Sequence, residues 1–410
     1  DDLGKTKFEI LGSEIGLVLQ ELRYALKNLK KWMRAKRKWM PLSHQPASAS
    51  IHPEPYGLVL VITPWNYPVQ LAFIPLISAI AAGNSVHLKL SEKSPSINRI
   101  IKSIIDEALP EWLVSVSDVE AKEVRSKILD AVEFDKIFFT GGEMGGKAVA
   151  AYAGERLIPY SLELGGKSPA IVDGTSNIGV TAKRLVWAKM LNAGQSCIAP
   201  DFILVSKDAE NPLLTEMKKE LDRIFSEYSN PQDAMARIVE KSKFDQLLAF
   251  GKEGEIVYSG ESYPDKLWMH PTVIRNVAWD DKVMESEIFG PVFPVLTYEN
   301  EEDLFQQLTL NPKPLAFYLF SKSTVLEKKI LEVIPFGAGG LNHALMQIAT
   351  PKLPHGGVGP SGNGRSHGYY GFLEFSHLKS WHKTPVWPDI SLRYAPYGEK
   401  KLNLLKRILR

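Results

Sequence analysis

The chain has 410 residues, 44% hydrophobic and 23% charged, and its 49 Lys and Arg nearly balance 47 Asp and Glu, for a formal net charge of +2. That length supports two or three domains with substantial cores, and the balanced charge excludes the global field that nucleic-acid binding usually exploits. A single cysteine rules out an intramolecular disulfide and a cysteine-rich zinc site and fits a reducing interior, so a cytoplasmic protein with no metal site is expected.

The opening residues have mid-helix character, and the basic run from Lys27 to Lys38 reads as a solvated helix face rather than a lipid-binding one. Residues 41–55 are poor in charge and rich in Pro, Ser, His and Ala, an extended excursion between elements. From Tyr56 to Leu88 there is no Asp, Glu, Lys or Arg, which passes a crude length test for a membrane span. Pro64, Asn66, Pro68, Gln70 and Pro75 interrupt it, so it predicts a buried strand (Gly57 to Ile62), a turn and a core helix (Val69 to Ala82). No integral membrane segment is expected.

Strand and helix patterns then alternate. Ser85 to Leu90 is a strand before a helix from Ile97 to Ala108, and Lys136 to Phe139 is a strand before a helix from Met144 to Ala153. Ala170 to Val172 and Phe202 to Val205 are strands around a helix from Gly179 to Met190. This rhythm predicts an α/β protein built from parallel βαβ units, whose ligands gather at loops beyond the strand ends.

Three such loops are polar. In Thr63-Pro64-Trp65-Asn66-Tyr67-Pro68 the prolines stiffen a turn, and the Asn66 amide either stabilises an oxyanion or closes the turn through its own backbone. In Lys89-Leu90-Ser91-Glu92 the cation and the acid either bind ribose hydroxyls or form a surface pair. In Phe139-Thr140-Gly141-Gly142-Glu143-Met144-Gly145-Gly146 glycines open a helix whose free N–H groups suit a pyrophosphate, although the GxGxxG fingerprint is absent. Cys197 follows Asn192-Ala193-Gly194-Gln195-Ser196, small and polar surroundings that favour reactivity over the packing role of an ordinary buried thiol. Upstream, Leu162-Glu163-Leu164-Gly165-Gly166-Lys167 offers a carboxylate beside two glycines. Glu285-Ser286-Glu287-Ile288-Phe289-Gly290-Pro291 sets an acid near an aromatic ring, in a gatekeeping or a turn role.

The order of TPWNYP at 63–68, GNSVHLKLSE at 83–92, FFTGG at 138–142, LELGGKSP at 162–169, GQSC at 194–197, ESEIFGPV at 285–292 and GGVGPSGNGRSHG at 356–368 resembles the aldehyde dehydrogenase superfamily. With NPKPLAFYLFS at 311–321, it resembles the class 3 branch that includes fatty aldehyde dehydrogenases. The resemblance implies a Rossmann-like nucleotide-binding domain (1–40 and 54–163), an α/β catalytic domain (164–355), a bridging element (41–53 and 377–387) that pairs subunits into a homodimer, a return segment (356–376) and a C-terminal tail (388–410). It also implies oxidation of a small-molecule aldehyde to the acid. Cys197 attacks the carbonyl carbon, Asn66 and the Cys197 N–H hold the oxyanion, and Glu163 activates the water that cleaves the thioester.

The same resemblance assigns cofactor contacts to Trp65, Lys89, Glu92, Gly141, Gly142, Gly146, Leu164, Gly165, Glu287 and Phe289. Glu92 at the ribose favours NAD, with NADP as the alternative. Tyr67, Trp187, Leu191 and His355 are expected to wall the substrate site, which suits medium or long aliphatic, or aromatic, aldehydes. Three positions depart from the resembling motifs: Gly142 replaces a serine, Leu90 a proline, and His355 the phenylalanine of PFGG. For His355 the plain alternative is a hydrogen-bonded packing residue. Rival readings are a cysteine hydrolase, an acylating dehydrogenase that passes its thioester to coenzyme A, and a non-catalytic binding relative.

Overall fold

The computed structural model describes residues 2–41, 44–311, 313–389 and 391–408. Residues 42 and 43 of the predicted 41–55 excursion, Pro312 of the 311–321 motif, and Ile390 with the last two residues of the C-terminal tail lie outside the described residues, as does Asp1.

The strands, in chain order, are β1 (Lys36–Lys38), β2 (Ser48–Pro55), β3 (Leu58–Ile62), β4 (Ser85–Lys89), β5 (Val114–Ser117), β6 (Lys136–Thr140), β7 (Tyr160–Glu163), β8 (Pro169–Val172), β9 (Phe202–Ser206), β10 (Glu255–Tyr258), β11 (Thr272–Arg275), β12 (Val292–Tyr298), β13 (Ala316–Phe320), β14 (Ala338–Leu341), β15 (Gly362–Asn363) and β16 (Ser376–Lys383). They form three sheets: a six-stranded one in the order β15-β7-β6-β3-β4-β5, a seven-stranded one in the order β10-β11-β12-β9-β8-β13-β14, and a three-stranded one in the order β1-β2-β16.

In the six-stranded sheet every pair from β5 to β7 is parallel, and only β15 runs against its neighbour. The chain steps outward from β3 through β4 to β5, then returns to the far side of β3 for β6 and β7. The strand order therefore reverses between β3 and β6, and the loops that follow these two strands flank the crevice where such sheets bind ligands. β3 is apolar on both faces because helices cover both; Val59, Leu60 and Val61 are fully buried. The uncharged run after it folds as the helix Pro68–Ala81, which keeps Pro75 in its interior and buries Ala72, Leu76 and Ala79. Each fully buried leucine of this core, such as Leu60 or Leu88, contributes about 1.5–3 kcal/mol. No described helix is long and apolar enough to cross a membrane.

Several expectations are corrected. The seven-stranded sheet is not wholly parallel, since β10 pairs antiparallel with β11. The basic run from Lys27 is helical only as far as Trp32 and then forms edge strand β1, because Lys36 to Lys38 pair with Ala49 to Ile51. The excursion before Pro55 is largely strand β2, whose other side pairs with β16 from Ser376↔Pro55 to Lys383↔Ser48. Short Pro- and Ser-rich strands with little apolar alternation give no period-two signal. At Leu90, N–H donates to Ser117 O at 2.7 Å while the side chain is buried. A proline there would remove that donor.

Candidate active site

Cys197 reaches its position through a strained turn. The helix Ile178–Met190 ends, and two non-glycine residues then adopt left-handed backbone, Asn192 (φ 50, ψ 30) and Ala193 (φ 53, ψ 35), followed by Gly194 at φ 71. Left-handed backbone costs an L-residue roughly 1–2 kcal/mol, so the surroundings must hold it. Glu9 accepts from Asn192 N at 2.6 Å, Asn192 Nδ2 donates to Asn66 O at 2.8 Å and to Gln195 O at 3.0 Å, and Gln195 Nε2 donates to Arg237 O at 2.9 Å. A Cβ on Gly194 would stand 2.4 Å from Gly290 O, so the turn has no room for a side chain there.

The Asn66 loop is tied to the same turn. Asn66 Nδ2 donates to Gln195 O at 3.1 Å, its carbonyl also accepts from Lys5 Nζ at 2.7 Å, and its buried Oδ1 has no partner. Lys5 is ion-paired with Glu14 at 2.8 Å and sits 3.9 Å from the centroid of the Tyr67 ring. An amide nitrogen carries two hydrogens, so one donor remains beyond the Gln195 contact.

Cys197, Glu163, Tyr67, Trp187, Leu191 and His355 all line one cavity of about 270 Å³. Asn66 does not line it, and meets it only through Tyr67 and the Cys197 turn. Most of the wall is apolar, including Phe8, Leu17, Leu71, Ile74, Ile198, Leu345, Met346 and Ile348. The N-terminal helical residues Phe8, Glu9, Gly12, Ser13 and Leu17 were not anticipated, and neither were Gln70 and His367. Helical periodicity marks a face but not the partner it meets, and only the SHG run near the C-terminus hinted at His367.

Electrostatics follow from burial. The Cys197 thiol is pushed up, first by desolvation and then by the Glu287 and Glu163 carboxylates, with the N–H groups of Cys197 and Ile198 opposing. Glu163, at the end of β7, is raised well above the usual carboxylate range by burial and by Glu374, with Arg365 and the nearby Ser366 hydroxyl opposing, and neither of its oxygens makes a hydrogen bond of good geometry. Ser366 sits nearby, but its hydroxyl is engaged by His355 O at 3.4 Å and His367 Nδ1 at 3.1 Å. Glu287 is pushed up to about 8 by burial and Asp201. His355 is pulled down to about 4 by burial and Arg365, and its Nδ1 is unpartnered.

The loops around the reversal of strand order fit a dinucleotide. The helix Glu143–Arg156 starts at Gly142 with no side-chain cap, leaving its first N–H groups free, and a Cβ on Gly142 would meet nothing within 4 Å. Gly141 and Gly146 sit in close packing, because a Cβ would stand 2.7 Å from the Phe139 ring and from the Leu164 side chain respectively, which would have to shift. Lys89 and Glu92 pair at 3.0 Å at the end of β4. Trp65 and Phe289 meet edge to face at 5.7 Å, and Phe289 takes a left-handed backbone, φ 50. Gly165 makes room for Glu287, whose Oε2 would lie 2.2 Å from a Cβ there. Among the described residues no cluster of His, Cys, Asp and Glu is arranged to hold a metal.

Comparison with known proteins adds to this geometry. Residues 1–381 match the profile described as "Aldehyde dehydrogenase family". The chain is 41% identical over 401 residues to the 4,4'-diaponeurosporen-aldehyde dehydrogenase of Staphylococcus aureus, covering 97% of this chain and 87% of that protein. It is 39% identical over 414 residues to aldehyde dehydrogenase family 3 member H1 of Arabidopsis thaliana, covering 100% and 85%. A solved structure described as the substrate-bound state of Staphylococcus aureus AldH superposes with a TM-score of 0.95 at 39% identity, covering 100% of this chain and 89% of that one.

Proposed function

Since the chain belongs to the aldehyde dehydrogenase family, in its class 3 branch, and oxidises aldehydes with NAD(P), we propose that Cys197, Glu163 and Asn66 carry that reaction. The observation that supports this most is the shared cavity of Cys197 and Glu163, with Asn66 bonded to the turn that presents the thiol. Burial, first of all, pushes the thiol pKa up, so its proton must pass to solvent water as the sulfur adds to the aldehyde. The sulfur adds to the carbonyl carbon, and the oxyanion takes hydrogen bonds from the second Asn66 N–H and the Cys197 N–H. Bound NAD(P) supplies the hydride acceptor. Glu163 then removes a proton from water, which attacks the thioester on Cys197 and frees the acid.

The free helix N-terminus at Gly142, the Lys89–Glu92 pair and the Trp65–Phe289 contact are the groups that would hold the cofactor, with Leu164 packed under Gly146 and Gly165 clearing space for Glu287. Glu92 at the ribose favours NAD over a 2′-phosphorylated cofactor. The apolar wall favours medium or long aliphatic, or aromatic, aldehydes. The domain bounds 1–40 with 54–163, 164–355, and 41–53 with 377–387 remain the working division. A homodimer formed at the three-stranded sheet accords with the outer edge of β16, unpaired among the described residues, and with Trp381, 62% exposed on that strand. The dependence of the chemistry on one free thiol fits a reducing compartment, the cytoplasm. A panel of aldehydes of rising chain length, assayed with NAD and with NADP, tests this reading: turnover should favour the longer apolar members with NAD, and hydrolysis of esters without any nucleotide-dependent aldehyde oxidation would overturn it.

A further inference from the structure

The cavity wall beside Glu163 holds four polar atoms that are buried and without a hydrogen-bond partner: Oε1 and Oε2 of Glu163, Nδ1 of His355 and Nε2 of His367. Native proteins leave few such atoms, and each calls for a reason. His355 Nε2 stands 3.9 Å from Glu163 Oε2. That is too far for a hydrogen bond, yet a small turn of the ring or one bridging water closes it.

The backbone under the ring is fixed. His355 N donates to Ser366 O at 3.1 Å, and Ser366 N returns a bond to His355 O at 2.6 Å. Around the imidazole stand Glu163, the His367 ring at 5.5 Å and 71°, and Arg365, whose Nη1 is engaged by Gly357 O and Gly364 O. Behind Glu163 lies Glu374, which accepts from Lys136 at 2.9 Å, Ser161 at 2.6 Å and Arg365 N at 2.9 Å. Burial and Arg365 hold the His355 imidazole neutral down to about 4, so near neutrality it serves as an N–H donor rather than a cation. Glu163 faces the opposite difficulty: burial and the Glu374 charge oppose its ionisation more than Arg365 and the nearby Ser366 hydroxyl favour it. A carboxyl that stays protonated cannot take a proton from water.

We propose that His355 is a positioning residue for Glu163: its neutral imidazole donates Nε2–H to the carboxylate, aims it, and keeps it ionised for hydrolysis of the acyl-enzyme. This rests on the reading of Glu163 as the hydrolytic base. The imidazole keeps its own proton throughout, and the proton taken from water ends on Glu163. The position bears phenylalanine in the resembling motif, so a Phe ring is tolerated in shape while lacking the donor.

The test follows the burst and the steady-state phase of NADH formation against pH in the whole enzyme and in His355→Phe, His355→Gln and Glu163→Gln. In His355→Phe the acid limb of hydrolysis should move up by about one pH unit, with turnover on that limb down about tenfold and the NADH burst retained, whatever change the altered cavity wall makes in KM. His355→Gln, which restores an N–H donor without a titrating ring, should bring the limb back. An unmoved limb in His355→Phe, a change in KM alone, or a His355→Gln profile that matches His355→Phe would each overturn the proposal. Glu163→Gln separates the two readings: a retained burst with lost hydrolysis upholds the base, whereas hydrolysis at the wild-type rate would remove the base whatever His355 does.

Discussion

Asn66 Nδ2 donates to Gln195 O at 3.1 Å, so the amide expected to hold the oxyanion is tied to the backbone two residues before the nucleophile. Loop and thiol are thereby one unit, and moving one moves the other. Asn66→Ala removes both the donor and the tie. It should lower kcat by about 10²–10³, the usual loss for one oxyanion donor, with a far smaller change in KM. Rapid-mixing measurement of the NADH burst checks this; a KM effect with intact kcat would mean that the amide only shapes the pocket.

Gly12 lines the cavity, and a Cβ built on it meets nothing within 4 Å. Gly12→Leu should therefore extend into the substrate space without disturbing the helix, raising KM about tenfold for long-chain aldehydes while sparing short ones. Equal effects on both lengths would place the alkyl chain elsewhere.

Glu21 is 2% exposed, accepts from Gly368 N at 2.6 Å, and has its carboxyl pushed up to about 7 by burial. A carboxyl whose folded pKa exceeds its unfolded value of about 4.3 binds its proton more tightly in the folded state. Its contribution is complete below that unfolded value and is lost as pH rises through about 7. Denaturant unfolding of Glu21→Gln should show a variant that matches the wild type in acid and exceeds it above neutrality by about 1–3 kcal/mol. A constant difference at all pH values would contradict the burial account.

The parallel βαβ units were legible because their strands, such as Leu58–Ile62 and Lys136–Thr140, are continuous apolar runs bounded by turn residues, and their helix boundaries shifted by only a few positions. Cys197, Glu163 and Asn66 stood out because their residue types sat in small, polar or glycine-rich contexts. What was not legible arises from contacts distant in sequence. Nothing local to Glu9 tells that its carboxylate caps a strained Asn192, and nothing local to Phe8 or Leu17 tells that they line the same cavity as Trp187. The left-handed Asn192 and Ala193 were equally hidden, since alanine gives no hint of positive φ. His355 was noticed as a departure, but only the fold sets it beside Glu163.

The central claim is that the carbonyl carbon becomes covalently bound to Cys197 and is released by water that Glu163 activates. Its most direct test is the intact mass and peptide map of Glu163→Gln mixed with aldehyde and NAD. An acyl adduct on the Cys197 peptide, accumulating in Glu163→Gln and absent from Cys197→Ser, which should also form no NADH, is the predicted result. Wild-type NADH formation by Cys197→Ser, with no adduct on any variant, would contradict it.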